Sequence, residues 1–321
     1  MFHHTHFLTP SDVVAGTPRA QGQFWPPVIK DVKKVNSGFQ FVAECYWDRE
    51  YELHTFGFDF CYDKTLYDRL KELDVYKVKA HLQADLGYQA KLCRFLENHD
   101  EERAADSWKD TRQNMAAAVI SFTIPGMHFI HDGQQEGRVR RISMHVNCRS
   151  KLNDDVKDKH LAGKYSALIK ALGSEAVRNG EWRPCATTPS MDGNPSHERF
   201  VAHVNWKGEK AVVLTVVNFA GEGSNGHVLL PEKHFGWLRG KKVKLIDMLS
   251  DTVIEKDGGV LLGVCVYVCV CVSMHSVRVC VYVCIHTYTY TYTHCSDTVI
   301  DKVGGVLLGV FQCGCYSCVR V

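Results

Sequence analysis

Residues 91–100 read Lys-Leu-Cys-Arg-Phe-Leu-Glu-Asn-His-Asp, and the character of the chain changes halfway through. Leu92 to Leu96 is a short, mostly apolar run, suited to a strand covered on both faces. Glu97 to Asp100 then sets four polar groups directly behind it. A second stretch has the same form: Phe39-Gln40-Phe41-Val42-Ala43 ends on Glu44, with Tyr46 and Trp47 just beyond. Strands that end in carboxylates place chemistry at the carboxyl edge of a parallel sheet, where α/β proteins carry their sites.

Working outward, helical spacing covers Phe24–Val35, ended by Asn36-Ser37-Gly38. A strand is predicted over Phe58–Tyr62, and helices over Lys64–Leu73 and Tyr76–Leu86. Ser107 is a candidate cap for a helix reaching Phe122, which Pro125-Gly126 closes before a strand over Met127–Ile130. This alternation predicts βα units around a parallel sheet. After a helix near Lys159–Leu172 the pattern turns to strands alone, over Phe200–Trp206, Lys210–Phe219, His227–Leu230 and Val243–Ile246. Asn205-Trp206-Lys207-Gly208 and Gly221–Gly226 are the expected turns, giving a small antiparallel domain.

The chain has 321 residues and a net charge of +2, from 38 basic and 36 acidic side chains. That balance argues against charge-driven binding to nucleic acid or to a membrane surface. The five cysteines before Gly258 (Cys45, Cys61, Cys93, Cys148, Cys185) are scattered and lack metal spacing, which reads as a reduced, intracellular protein. The start, MFHHTHFLTPSD, has no signal-peptide pattern, so a cytoplasmic location is expected. His3, His4 and His6 lack nearby partners for a metal and are set aside.

From about residue 259 the composition breaks. VCVYVCVCV, VRVCVYVC and HTYTYTYTH alternate with strand period, yet they also read as translated dinucleotide repeats. SDTVIEKDGGVLLGV at 250–264 recurs as SDTVIDKVGGVLLGV at 296–310, which suggests a duplicated exon. This tail, 259–321, is assigned no function. The expected organisation is an unassigned stretch 1–15, an α/β domain 16–177, an antiparallel β domain 178–258, and the tail.

Glu44 and Asp100 suit glycoside cleavage, in which one carboxylic acid protonates the leaving oxygen and other carboxylates stabilise charge on the sugar. His99 can hydrogen-bond a hydroxyl, and Tyr46 and Trp47 offer faces for a sugar ring. Any single carboxylate after a strand is more commonly a helix cap or a solvated loop residue, so the ordered set matters more than its members.

That set, FVAECYWDREYEL (41–53), GFDFCYDKTLYDRL (57–70), FLENHDEERAA (95–105) and IPGMHFIHDGQQEGR (124–138), resembles the alpha-amylase family, glycoside hydrolase family 13. The resemblance covers about 16–258. It implies an incomplete (β/α)8 TIM barrel, roughly strands five to eight, followed by a small antiparallel β-sandwich. Glu44 then resembles the general acid/base and Asp100 the carboxylate that stabilises the transition state. His99 resembles the substrate-binding histidine, and Arg103 is placed with the substrate-binding residues or as a support of this loop. The implied substrate is an oligosaccharide or small alpha-glucoside, with no cofactor; the family can use calcium, but no acidic cluster here demands it.

A retaining glycosidase also needs a nucleophile close to the acid/base. The family takes it from an Arg-x-Asp motif on its fourth strand, and no such motif precedes Phe24. Asp12, in Ser-Asp-Val-Val, is a poor substitute. The expectation is a truncated gene model that does not hydrolyse as written. The alternatives are a carbohydrate-binding pseudoenzyme and an amylase-like structural or transporter-associated subunit, which would need a membrane span and usually loses these carboxylates.

Overall fold

The computed structural model describes residues 24–46, 48–141, 158–219, 224, 226–249, 253–257, 266–267 and 279–288. His3, His4, His6, Asp12, Trp47 and the second copy of the duplicated segment lie outside these residues.

The first half alternates helices and strands. Helix α1 (Trp25–Val35) carries two prolines in its first turn, where a backbone N–H would find no helical acceptor and its absence in proline costs nothing. It seats Ile29 against Phe41, Leu53, Phe58 and Cys61. Strand β1 (Val42–Ala43) leads to α2 (Glu50–Thr55), then β2 (Phe60–Tyr62), α3 (Lys64–Lys71), α4 (Val75–Leu82) and α5 (Leu86–Gln89). Strand β3 (Leu92–Arg94), α6 (Ala104–Ser107), α7 (Thr111–Thr123) and β4 (Met127–His128) complete this half.

The four strands pair in parallel and in chain order, β1-β2-β3-β4. Their register runs Val42↔Phe60, Cys61↔Leu92 and Cys93↔Met127. Among the described residues the sheet keeps two outer strands and is not closed into a barrel. The ladders are shorter than the apolar runs, because the residues behind each strand turn into loops while staying buried. Phe129 N still donates to Arg94 O at 2.8 Å beyond the last paired residues.

Aspartates, not serines, set the helix starts. Asp63 accepts from Leu66 N at 3.0 Å, Asp74 from Lys77 N at 2.9 Å and Asp85 from Tyr88 N at 3.1 Å. Ser107 does not cap the long helix: it ends α6, and Asp110 caps α7 through Arg112 N at 2.9 Å. Trp108 forces this break, burying its ring and donating Nε1–H to Leu70 O at 3.3 Å. Helix α7 is buried throughout from Asn114 to Thr123, so it shows no polar face.

Helix α8 (Lys159–Leu172), capped by Asp158, and α9 (Glu175–Asn179) lead into the strand-rich part. It comprises β5 (Glu181–Pro184), β6 (Ala186–Thr188), β7 (Phe200–Lys207), β8 (Ala211–Asn218), β9 (His227–Leu229), α10 (Glu232–Phe235), β10 (Lys242–Asp247) and β11 (Val253–Asp257). Strands β5 and β6 were not anticipated, and α10 interrupts the stretch expected to lack helices. The turn begins three residues later than expected: Asn205, Trp206 and Lys207 stay in β7, and residues 208–210 close the hairpin, with Gly208 at φ +61°.

Two tail segments join these sheets. Strand β12 (Val266–Tyr267) pairs with β9, and β13 (Val279–Tyr288) lies between β8 and β10. The sheets are six-stranded, β11-β10-β13-β8-β7-β5, and three-stranded, β12-β9-β6. Along β7 and β8 alternate residues serve different cores. Phe200, Ala202, Val204, Val212, Leu214 and Val216 pack with Val228 and Phe235. Val201, Val213 and Val217 share a core with α7. Burial on both faces explains why these strands lack a regularly alternating polar face. His203 crosses to α7 with Nε2 2.8 Å from Thr123 Oγ1. No helix among the described residues is long and apolar enough to cross a membrane.

Candidate active site

Glu44 stands directly after β1 and is 3% exposed. The Tyr46 hydroxyl donates to Glu44 Oε1 at 3.1 Å. From the loop after β3, His99 brings Nε2 to 3.6 Å from Glu44 Oε1 and 3.2 Å from Asp100 Oδ2. Asp100 lies 3.9 Å from Arg141 Nη2 through its other oxygen. Two carboxylates therefore meet one imidazole where two strand ends converge. His99 and Asp100 stay partly open to solvent, while Glu44 is screened from it. Burial, reinforced by Glu44, pushes the Tyr46 phenol upward, so it remains a donor at neutral pH.

Asn98 shapes the loop. Its side-chain oxygen accepts from Asp100 N at 2.9 Å and Glu101 N at 2.8 Å, turning the chain back beneath His99. Glu97 is fully buried, accepts from Ala104 N at 2.5 Å, and pairs with Arg103 Nη2 at 3.1 Å. Arg103 is 3% exposed. It donates to Asp132 O at 2.7 Å and Arg138 O at 3.3 Å, and Nη1 lies 2.8 Å from His131 Nδ1. These partners tie Arg103 into the loop.

Among the sequence candidates, the structure unites Glu44, Tyr46, His99 and Asp100, and removes Arg103 to the layer beneath. The sequence suggested no metal ligands, but Glu44, His99 and Asp100 offer donor atoms all within 4.8 Å of one another. Two carboxylates about an imidazole can bridge a cation or grip vicinal hydroxyls.

A second polar cluster escaped the sequence reading. Asp63 Oδ2 meets Arg94 Nη1 in a very short contact and His81 Nε2 at 3.0 Å. Arg94 also donates to Pro125 O at 3.0 Å and Gln89 O at 3.1 Å. Burial opposes ionisation of Asp63, but Arg94 and His81 outweigh it and hold the carboxyl down at about 2. Arg94 inside an apolar run was the available signal. Gly126, at φ +125°, admits the close approach: an added Cβ would fall 2.3 Å from Leu92 O and 3.2 Å from Arg94 Nε.

No protein-family model and no curated protein matches the sequence. Solved structures do match the fold. A maltogenic alpha-amylase from Thermotoga neapolitana matches at TM-score 0.58 and 18% identity, over 76% of this chain and 56% of that one. The alpha-amylase from Geobacillus thermoleovorans, solved with acarbose, matches at 0.55 and 16%, over 84% and 57%. An alpha-amylase from Lactobacillus plantarum matches at 0.55 and 16%, over 83% and 59%. The chain thus spans between 56% and 59% of the length of these structures. Across that span its fold is the fold of the alpha-amylases.

Proposed function

We propose that this chain is an alpha-glucan-acting member of the alpha-amylase family, glycoside hydrolase family 13, and that the described residues hold part of a retaining glycosidase site. The observation that carries this reading is the convergence of Glu44 and Asp100 on His99 at the ends of β1 and β3. Glu44 is the general acid/base: screened from water and held by Tyr46, it is placed to pass a proton to a glycosidic oxygen. Asp100, more open, stabilises positive charge on the sugar ring. His99 orients a hydroxyl between the two carboxylates.

Among the described residues, Glu44 and Asp100 are the carboxylates of the His99 cluster. Retention requires a third group that attacks the anomeric carbon, so the chain binds an alpha-glucoside without forming a glycosyl-enzyme. Titration calorimetry with maltotriose tests this. His99→Ala is expected to weaken binding about tenfold, the worth of one good hydrogen bond. An absence of maltotriose binding by the unmodified chain would sink the reading, and measurable release of glucose would overturn the claim that it does not turn over.

A further inference from the structure

We propose that Glu97 is a positioning residue for the site, fixing Asn98, His99 and Asp100 by tying the loop after β3 to the loop after β4; this rests on the function proposed above. Glu97 stands one residue before Asn98 and is wholly buried, where an unpaired carboxylate would be costly. Its two oxygens do different jobs. Oε2 accepts from Ala104 N, closing the far end of the 98–103 loop onto its start. Oε1 faces Arg103 Nη2 at 3.1 Å and His131 Nδ1 at 3.1 Å, reaching into the loop after β4.

Arg103 carries the connection onward through the carbonyls of Asp132 and Arg138. Gly133 confirms how tightly this loop closes over the guanidinium. At φ +81°, an added Cβ there would fall 2.2 Å from Arg138 Cδ and 2.9 Å from Arg103 Nη2. Between the two anchors of Glu97, the Asn98 turn leaves His99 little freedom, so the imidazole meets Glu44 and Asp100 without being ordered by a ligand.

The test compares Glu97→Gln, Glu97→Asp and Gly133→Ala with the unmodified chain. Two quantities are read: the side-chain ¹⁵N shifts of His99 by NMR, and the maltotriose dissociation constant. Glu97→Gln keeps the shape but loses the charge. It should move the His99 resonances and the amides of residues 98–100, and weaken maltotriose about tenfold. Glu97→Asp should recover part of both effects. Gly133→Ala presses on Arg103 while leaving Glu97 intact, and should move the same resonances; it decides the matter if Glu97→Gln does not fold. Unmoved His99 resonances in a folded variant would overturn the proposal, whatever happens to thermal stability. A chain that never binds maltotriose defeats the proposed function, while the His99 resonances still judge this inference.

Discussion

Among the described residues, two clusters in which a carboxylate meets a histidine, one at Asp63 and one at His99, differ in how far they open to solvent. Around Asp63, the histidine His81, the guanidinium of Arg94, Gln89 and the Pro125 carbonyl use up the polar capacity of the site, and every side chain is buried. Around His99, two carboxylates face one imidazole that is partly open. The first arrangement balances charge and joins β2, β3 and α4. The second gathers two carboxylates about one imidazole, with Arg141 Nη2 3.9 Å from Asp100. Residue type does not separate structure from chemistry here; exposure does.

Breaking the saturated cluster should have the largest effect. Arg94→Met removes the guanidinium bonded to buried Asp63 and strips acceptors at Gln89 and Pro125 of their donor. A buried ion pair broken from one side costs roughly 3–5 kcal/mol. Urea denaturation of the variant should show that loss. A loss under about 1 kcal/mol would mean that the cluster relaxes or admits water, and that it does not hold the sheet.

Much of this was legible in the sequence, and the failures share a cause. The strand ends carrying Glu44 and Asp100 could be read because an apolar run followed by a polar residue is a local signal. Helix α8 was read with its ends in place, since Asp158 caps it and Gly173 follows it. Glu97 was not singled out because its role depends on His131, which lies 34 positions away. Arg94 looked like part of a strand, and its partner Asp63 like an ordinary cap. Strand β5 was missed because Arg183 and Pro184 hide its period. The alternation in 279–288 has strand period, but it reads equally as a translated repeat, and nothing local says that it pairs between β8 and β10.

Acid sharpens the comparison through a third histidine. His203 is buried against Thr123 with no carboxylate beside it, and burial holds its imidazole down at about 3. The unfolded chain takes up that proton below its ordinary value of 6.5, whereas the folded chain refuses it until about 3. Its contribution is therefore complete above 6.5 and is lost as the pH falls. The loss reaches about 2 kcal/mol near pH 5. Asp63 follows the same sign at lower pH: its contribution is intact above 3.8 and declines toward about 2. Between neutrality and about pH 5, then, His203→Gln should flatten the pH dependence of stability relative to the unmodified chain. An equally steep decline in the variant would assign the effect to other groups.

The smallest stability effect should come from the open cluster, and its size is the informative part. Glu44→Gln keeps the shape and can still accept from Tyr46, while removing one of two negative charges gathered at His99. Sites shaped for ligands carry unfavourable charge that the fold does not need, so the variant should unfold within about 1 kcal/mol of the unmodified chain, on the stabilised side. Saccharide binding should fall in the same protein. If Glu44→Gln instead destabilised the chain as severely as Arg94→Met, the two clusters would be alike in kind. Glu44 would then be a structural carboxylate satisfied by His99 and Tyr46, and the strand-end convergence would no longer speak for a sugar site.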